Sequence, residues 1–574
     1  MGTGSRIPEC RSKHGHNAHN PLGNCKMRPA ELHFAHFAPL HCEARPRHVS
    51  YFPECNEAPC PAMSPSCHWH RPLLILSMLF RLAAGAVAAQ SEPRDLMHQP
   101  WLEARTAHFD AFSCGPTQAV ARVVGRLEQF REAYSVLAGV QAVRSPPIVV
   151  MGFADHATLE PFLALYHGKP ASVTAFFVHG TDENLIVLPL SGTGSLESIF
   201  HEYAHLLFRH NERIWPVWLE EGMAEIYSTF EVTGAYGVRI GQPIERHLAL
   251  LAQTTLMPLA DLFTVTHASA DYNETEHQGI FYAQSWLLTH YLMLGDNAAY
   301  KARFGQLTAL LRQGQSPIQA FTNAFHTSLS AMESQLRGYL ARGKFNPLDL
   351  AVKTDLRAPQ GMATRALTPP EICFRLGDEL LRIGRGEAAQ SYFERARQMA
   401  PKSPLGYEGL GLLAADRDQS QEAVRWLHEA LQNGSRSFLA HYAYAREKYK
   451  LTAEAPGRHS RLETEVAAEV RSELERSLEL MPDFAPAHEL LGFFEMVQGE
   501  NLFSAQQHLE RAIQLEPDNR AYVLSLAQAQ FLRGDADVAR RTLEPLRLPY
   551  VEASLRAEAE ALLKEMQHQP GQAH

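Results

Sequence analysis

Between Thr117 and Leu137, apolar side chains recur at Val120, Val123, Val124, Leu127, Phe130 and Tyr134, the spacing of a single helix face. The unbroken apolar run Pro147 to Phe153 then reads as a buried strand. Ser172 to Val178 and Asn184 to Leu190 read as two more, joined by a turn at Gly180-Thr181-Asp182. From Leu196 to about Arg342 the pattern is mostly helical. Lys344 to Pro370 is rich in turn residues and ends in Thr368-Pro369-Pro370, which marks a linker. Beyond it a period of 34 residues sets in: Gly377, Ala389 and Ala396 recur as Gly411, Ala423 and Ala430, and Leu427 answers Phe393. Ala505, Leu509, Ala512 and Pro517 repeat the pattern, and Ala539 and Leu543 follow at the same interval. Small residues at fixed phase let paired helices approach, and each unit buries its face on the next. About four units fit, with Phe438 to Pro482 longer and less regular.

The N-terminal region shows no such pattern. Residues 1–62 hold five of the eight cysteines, with many histidines and prolines and no sustained period. Cys10, Cys25, Cys42, Cys55, Cys60 and Cys67 form no CxxC pair, and His14, His16 and His19 make only a loose cluster. The segment reads as a disordered or non-native extension ahead of a start at Met63. Residues 63–89 then carry a secretory pattern: Arg71, the apolar run Pro72 to Phe80, and small-residue cleavage sites in Ala84 to Gln90. That run is far below the ~20 residues of a membrane-spanning helix, so a mature chain without a transmembrane span, secreted or periplasmic, is expected. Of the cysteines only Cys114 and Cys373 lie beyond the leader, which leaves no disulfide framework. The net charge of −10 gives no support to nucleic-acid binding.

Chemistry concentrates in His201-Glu202-Tyr203-Ala204-His205. Four residues are about 400° of helical rotation and roughly 6 Å of rise, so both imidazoles leave one face and can meet one ion. Apolar Ile199, Phe200, Leu206 and Leu207 suit a buried helix. This HExxH arrangement belongs to zinc hydrolases, in which a catalytic zinc keeps three protein ligands and leaves the fourth position to water. Arg209 to Glu212 can turn the chain, Pro216 permits a new helix, and a returning helix from Trp218 to Glu225 can deliver Glu221. Glu220 points about 100° away and is the weaker ligand candidate.

Trp218-Leu219-Glu220-Glu221-Gly222-Met223-Ala224-Glu225 resembles the second-helix motif of the gluzincin metallopeptidases, the peptidase MA group. The resemblance implies His201, His205 and Glu221 as ligands of Zn2+ and Glu202 as general base. Glu225, one turn after Glu221, is placed to accept a hydrogen bond from a ligand histidine, or else is a solvated helix carboxylate. Ile280 to Leu288 looks like the helix that opens with the transition-state tyrosine of zinc aminopeptidases. Tyr282 is therefore the candidate donor to the oxyanion, with aromatic packing as its other reading and His277 as an outside alternative. Gly180 to Asn184 matches the exopeptidase loop GxMEN only in part, and is read as a hairpin turn with aminopeptidase specificity as a minority option. In gluzincins a small sheet precedes the zinc helix, and its edge strand can bind substrate by main-chain pairing. The 34-residue period resembles tetratricopeptide repeats, whose superhelix offers a concave surface for peptides or protein partners.

The expectation is thus a zincin-like α+β domain, a small sheet followed by a helical lobe, over 90–343, a linker over 344–370 and an all-α tetratricopeptide solenoid over 371–565. The implied function is an exported zinc peptidase that hydrolyses peptide bonds in a peptide or protein substrate, with Glu202 taking the proton from a metal-activated water. A noncatalytic binding protein with a retained zincin scaffold is the alternative from another class. A zinc hydrolase of non-peptide amides is a third.

Overall fold

The computed structural model describes residues 48–50 and 96–568, apart from 139–147, 167–168, 171–174, 181, 192–194, 212–214, 267–268, 270–274, 296, 354, 358–361, 454–460 and 549–550. The expected leader 63–89 and extension 1–62, save His48–Ser50, lie outside the described residues.

Strands β1 (His48–Ser50), β2 (Leu102–Arg105), β3 (Phe109–Ser113) and β4 (Ile148–Phe153) precede two short ones, β5 (Leu165–Tyr166) and β6 (Lys169–Pro170), which pair with each other. β7 (Phe176–His179) and β8 (Leu185–Pro189) follow, then β9 (Glu231–Val232), β10 (Gly237–Ile240), β11 (Leu348–Ala351) and β12 (Thr364–Ala366). Seven of them form one sheet in the order β1-β7-β8-β4-β3-β2-β12. Its centre, β3-β4-β8, is parallel, and the flanking pairs are antiparallel.

The unbroken apolar runs are explained by cover on both faces. Ile148, Val150, Phe177, Ile186 and Leu188 face one core, which they share with helices Thr117–Ala138, Ser195–Asn211, Val217–Ser228 and Thr275–Leu294. The alternate residues Val149, Met151, Phe153, Phe176, Val178, Leu185 and Val187 face a second core. Ile372, Phe374, Leu376, Leu380, Phe393 and Leu410 of the helical repeats close that second core. The sheet is therefore sandwiched between the HExxH helix and the start of the solenoid.

Two expectations are corrected here. The stretch 344–370 is not a plain linker: β11 pairs with β10, and β12 extends the main sheet beside β2. These strands are three or four residues long, and their partners lie more than a hundred residues upstream, so no local pattern announces them. Within 1–62, His48–Ser50 form the edge strand β1, with Val49 opposite Val178, so those three residues are not without regular structure.

From Pro369 the chain alternates helices Pro369–Arg382, Gly386–Met399, Leu405–Asp416, Ser420–Gln432, Phe438–Ala453, Thr464–Leu480, Ala485–Gln498, Leu502–Leu515, Arg520–Leu532 and Ala536–Leu543, and ends in Ala553–His568. The irregular stretch after Phe438 is a helix pair, so among the described residues five pairs stand where about four units were expected. Gly377 marks why the period is legible: a Cβ there would sit 2.6 Å from the Phe393 ring of the paired helix. No described helix is long and apolar enough to cross a membrane. Cys114 and Cys373 are both buried and form no disulfide with each other, and Cys373 Sγ lies 3.1 Å from Met97 Sδ.

Inside the helical lobe, His290 is fully buried between the Gly241 carbonyl, 3.0 Å from Nε2, and the Tyr339 hydroxyl, 2.8 Å from Nδ1. Burial pushes its imidazolium down to about 4. A depressed folded value means that its contribution is complete above the unfolded value near 6.5 and is lost as the pH falls from there through about 4. The full loss is about 3 kcal/mol. Urea unfolding at pH 7 and pH 4.5 is expected to show a steeper decline for wild type than for His290→Gln; parallel declines would contradict this.

Candidate metal centre

The helix Ser195–Asn211 starts a few residues beyond β8 and runs on through Arg209 and His210, where a turn was expected. Every residue from Ile199 to Phe208 is buried. Ile199, Phe200 and Tyr203 enter the core around Phe130, whose ring stacks on Phe200 at 4.8 Å. His201, Glu202 and His205 are left for the polar site. The returning helix Val217–Ser228 is set by Pro216 at its N-cap. It approaches Thr275–Leu294 closely because residue 222 is glycine: a Cβ would meet Thr289 Oγ1 at 2.1 Å and the Ser285 carbonyl at 2.5 Å.

The two helices bring three donor atoms together. His201 Nε2 lies 3.1 Å from His205 Nε2 and 3.2 Å from Glu221 Oε2, and His205 Nε2 lies 3.3 Å from the same oxygen. These are the residues expected as ligands, and among the described residues they form a group fit to hold a metal ion. Tetrahedral donors 2.0–2.1 Å from one zinc ion stand about 3.3 Å apart. The triangle fits that spacing, and two imidazoles with one carboxylate fit the donor preference of zinc.

A carboxylate backs each imidazole. Glu225 Oε1 is 3.7 Å from His201 Nδ1, and Glu220 Oε1 is 3.3 Å from His205 Nδ1. Glu225 is wholly buried and not a solvated helix residue. Glu220 stands likewise beside the other histidine. Glu225 is gripped in turn by His247 Nε2 at 3.1 Å and Arg246 Nη2 at 3.3 Å, both from helix Glu245–Gln253. Partners of this kind fix tautomer and ring direction.

Glu202 is also buried. Its Oε2 lies 3.6 Å from Nε2 of His179, the last residue of β7. Tyr282 is buried beside the ligands, with its ring centroid 6.1 Å from that of His201. The His277 side chain lies outside the described residues.

The electrostatics are those of a site that demands positive charge. Burial pushes the His201 imidazolium down, but Glu225 and Glu221 outweigh it and lift it to about 9. Against the same burial penalty, Glu221 and Glu220 lift His205 well above its usual range. Burial raises Glu221, yet His205 and His201 carry it far below the carboxylate range. Without metal the carboxylates hold protons on the histidines; a divalent ion would release those protons on binding.

Sequence reasoning missed His179, Arg246, His247 and the second role of Glu220. Only the Glu220-Glu221 doublet carried a signal: a carboxylate beside a ligand can serve the other histidine.

Residues 374–438 and 497–544 match the family model of the tetratricopeptide repeat, so the helices in those stretches are tetratricopeptide repeats. No curated protein matches the chain. Among solved structures it is similar to TTC0263, a thermophilic tetratricopeptide repeat protein of Thermus thermophilus. Identity is 22%, the match covers 34% of this chain and 99% of that one, and the TM-score is 0.27. It is also similar to YrrB, a tetratricopeptide repeat protein with an unusual peptide-binding site, at 16% identity, 33% and 90% coverage and a TM-score of 0.28. A third is pilF of Pseudomonas aeruginosa, at 16% identity, 35% and 92% coverage and a TM-score of 0.27.

Proposed function

We propose that the chain is an exported zinc-dependent peptidase with a zincin-like catalytic domain, joined to a tetratricopeptide solenoid that takes a protein partner. The observation that carries this reading is the donor triangle of His201, His205 and Glu221 with Glu202 one residue from the first ligand. A scaffold has no use for a buried carboxylate at that place.

His201, His205 and Glu221 would hold the ion, oriented by Glu225 and Glu220. When bound, a zinc ion supplies Lewis acidity that activates water and polarises a carbonyl. Glu202 accepts a proton from the attacking water and returns it to the leaving nitrogen. Tyr282, buried beside His201, is the candidate donor to the oxyanion. Substrate is an extended peptide. β7 already accepts an antiparallel strand, β1, with His48 opposite His179, and a chain processed near Gln90 frees that edge for substrate. Glu183, the residue that an exopeptidase loop would turn to the substrate amine, is engaged 2.8 Å from Arg382 Nη2, which favours an endopeptidase.

One observation favours the second reading, a noncatalytic binding protein: the family match falls on the repeats alone. Metal removal separates the two. Treating the full chain with a strong zinc chelator is expected to stop cleavage of an unstructured protein mixture, and stoichiometric zinc restores it. Wild-type protein that is fully loaded and still cleaves no member of the mixture would move the weight to the repeats as a binding module.

A further inference from the structure

The hairpin β7–β8 joins two features that the proposed function leaves unconnected. At one side, β7 ends in His179, whose ring lies on Phe177 with centroids 4.5 Å apart and whose Nε2 is 3.6 Å from Glu202 Oε2. At the other, the turn carries Asp182 and Glu183, and Asp182 Oδ1 accepts the Glu183 backbone N–H at 2.9 Å. Both carboxylates meet Arg382, which belongs to the first repeat helix, Pro369–Arg382, some two hundred residues away in sequence. Arg382 Nη1 is 3.2 Å from Asp182 Oδ1, Nη2 is 2.8 Å from Glu183 Oε2, and Nε is 3.1 Å from Asp378 on its own helix. The guanidinium also donates to the Glu183 carbonyl at 3.4 Å, and its side chain is 3% exposed.

We propose that His179 is a positioning residue for the base Glu202, and that Arg382 of the solenoid holds it in place through the hairpin turn. This rests on the peptidase reading. A base must stand within hydrogen-bond reach of the water proton, and such contacts are long in unliganded sites and tighten with substrate. His179 is the neighbour from the sheet that bears on the Glu202 carboxylate, so the strand end sets which way that carboxylate faces. Arg382 pairs directly with Asp182, Glu183 and Asp378, and Arg375 also acts on Glu183. Removing Arg382 takes away the group that ties Asp182 and Glu183 of the turn to Asp378 of the first repeat helix. The hairpin then moves off the helix and takes His179 with it. The solenoid thus contributes to the geometry of the catalytic base without touching substrate, and a partner that shifts the first repeat acts on catalysis by the same route.

The test uses the full chain and four readouts: kcat, KM, metal per chain, and the imidazole Cε1–H resonance of His179 in metal-free protein, assigned by its loss in His179→Ala. His179→Ala is expected to lower kcat about 100-fold, the scale of a misplaced reacting group, with KM and metal unchanged. His179→Gln is expected to recover part of the loss. Arg382→Met lowers kcat in the same way, Arg382→Lys recovers part, and the His179 resonance moves in both Arg382→Met and Glu202→Gln. Should Arg382→Met fail to fold, Asp182→Asn with Glu183→Gln loosens the same clamp from the other end. Wild-type kcat in His179→Ala, loss of metal in it, or an unmoved resonance in Arg382→Met overturns the proposal. If wild type cleaves nothing, the peptidase reading fails, while the resonance in metal-free protein still decides whether Arg382 and Glu202 are linked through His179.

Discussion

Glu202→Gln is expected to lower cleavage of an unstructured polypeptide by about 10²–10⁴-fold, the range for removing a general base. Metal content and melting temperature stay at wild-type values. The substitution keeps shape and hydrogen bonding but removes the carboxylate that takes the proton. It touches none of the three donors, whose spacing is set by His201, His205 and Glu221. Glu202 is poised as a carboxylate despite its burial: desolvation raises it, but His179 and then His201 and His205 bring it below its usual value. Cleavage assayed beside metal analysis checks the prediction. A Glu202→Gln protein that is loaded and fully active would remove the base from the mechanism.

The second large effect is structural. A chain ending at Leu367, before the first repeat, is expected not to fold. The second core joins sheet residues Phe112, Val149, Met151, Phe153, Phe176, Val178, Leu185 and Val187 to repeat residues Ile372, Phe374, Leu376, Leu380, Phe393 and Leu410. Exposing a buried side chain of this size costs about 1.5–3 kcal/mol. Uncovering several exceeds the roughly 5–15 kcal/mol that holds a typical domain together. Arg382 and Arg385 would be lost too; the latter donates to the carbonyls of Pro161 and Leu163. Urea unfolding and gel filtration read the outcome. Aggregated or non-cooperative material is predicted, whereas a monomer with a wild-type transition would mean that the solenoid is a separable appendage.

These two expectations correspond to what the sequence did and did not disclose. The pairing of His201 with His205 was legible because helical spacing alone puts both on one face. Glu221 was legible because its helix returns directly. The solenoid was legible because close helix contacts, such as Gly377 against Phe393, force small residues at a fixed period. The pair Phe438–Ala453 and Thr464–Leu480 was harder to see because its helices have 16 and 17 residues, against 14 in each of the first two, and so fall out of phase. β12, with three exposed residues, has no apolar alternation to read. His179, Arg246 and His247 reach the site from a strand end and a separate helix, 21 or more residues from the groups they touch. Only the folded chain brings such partners together. The linker expectation failed for a similar reason: turn-rich sequence between domains looks the same whether it hangs free or carries strands.

The most direct test of the account is the zinc content of the full chain beside that of Glu221→Ala, with circular dichroism to check the fold. The account predicts one zinc ion per wild-type chain, lost in the variant while the helical signal remains, because removing Glu221 leaves two imidazoles alone to hold the ion. Wild type that binds no zinc, or a folded Glu221→Ala that keeps it at full stoichiometry, would contradict the proposed centre.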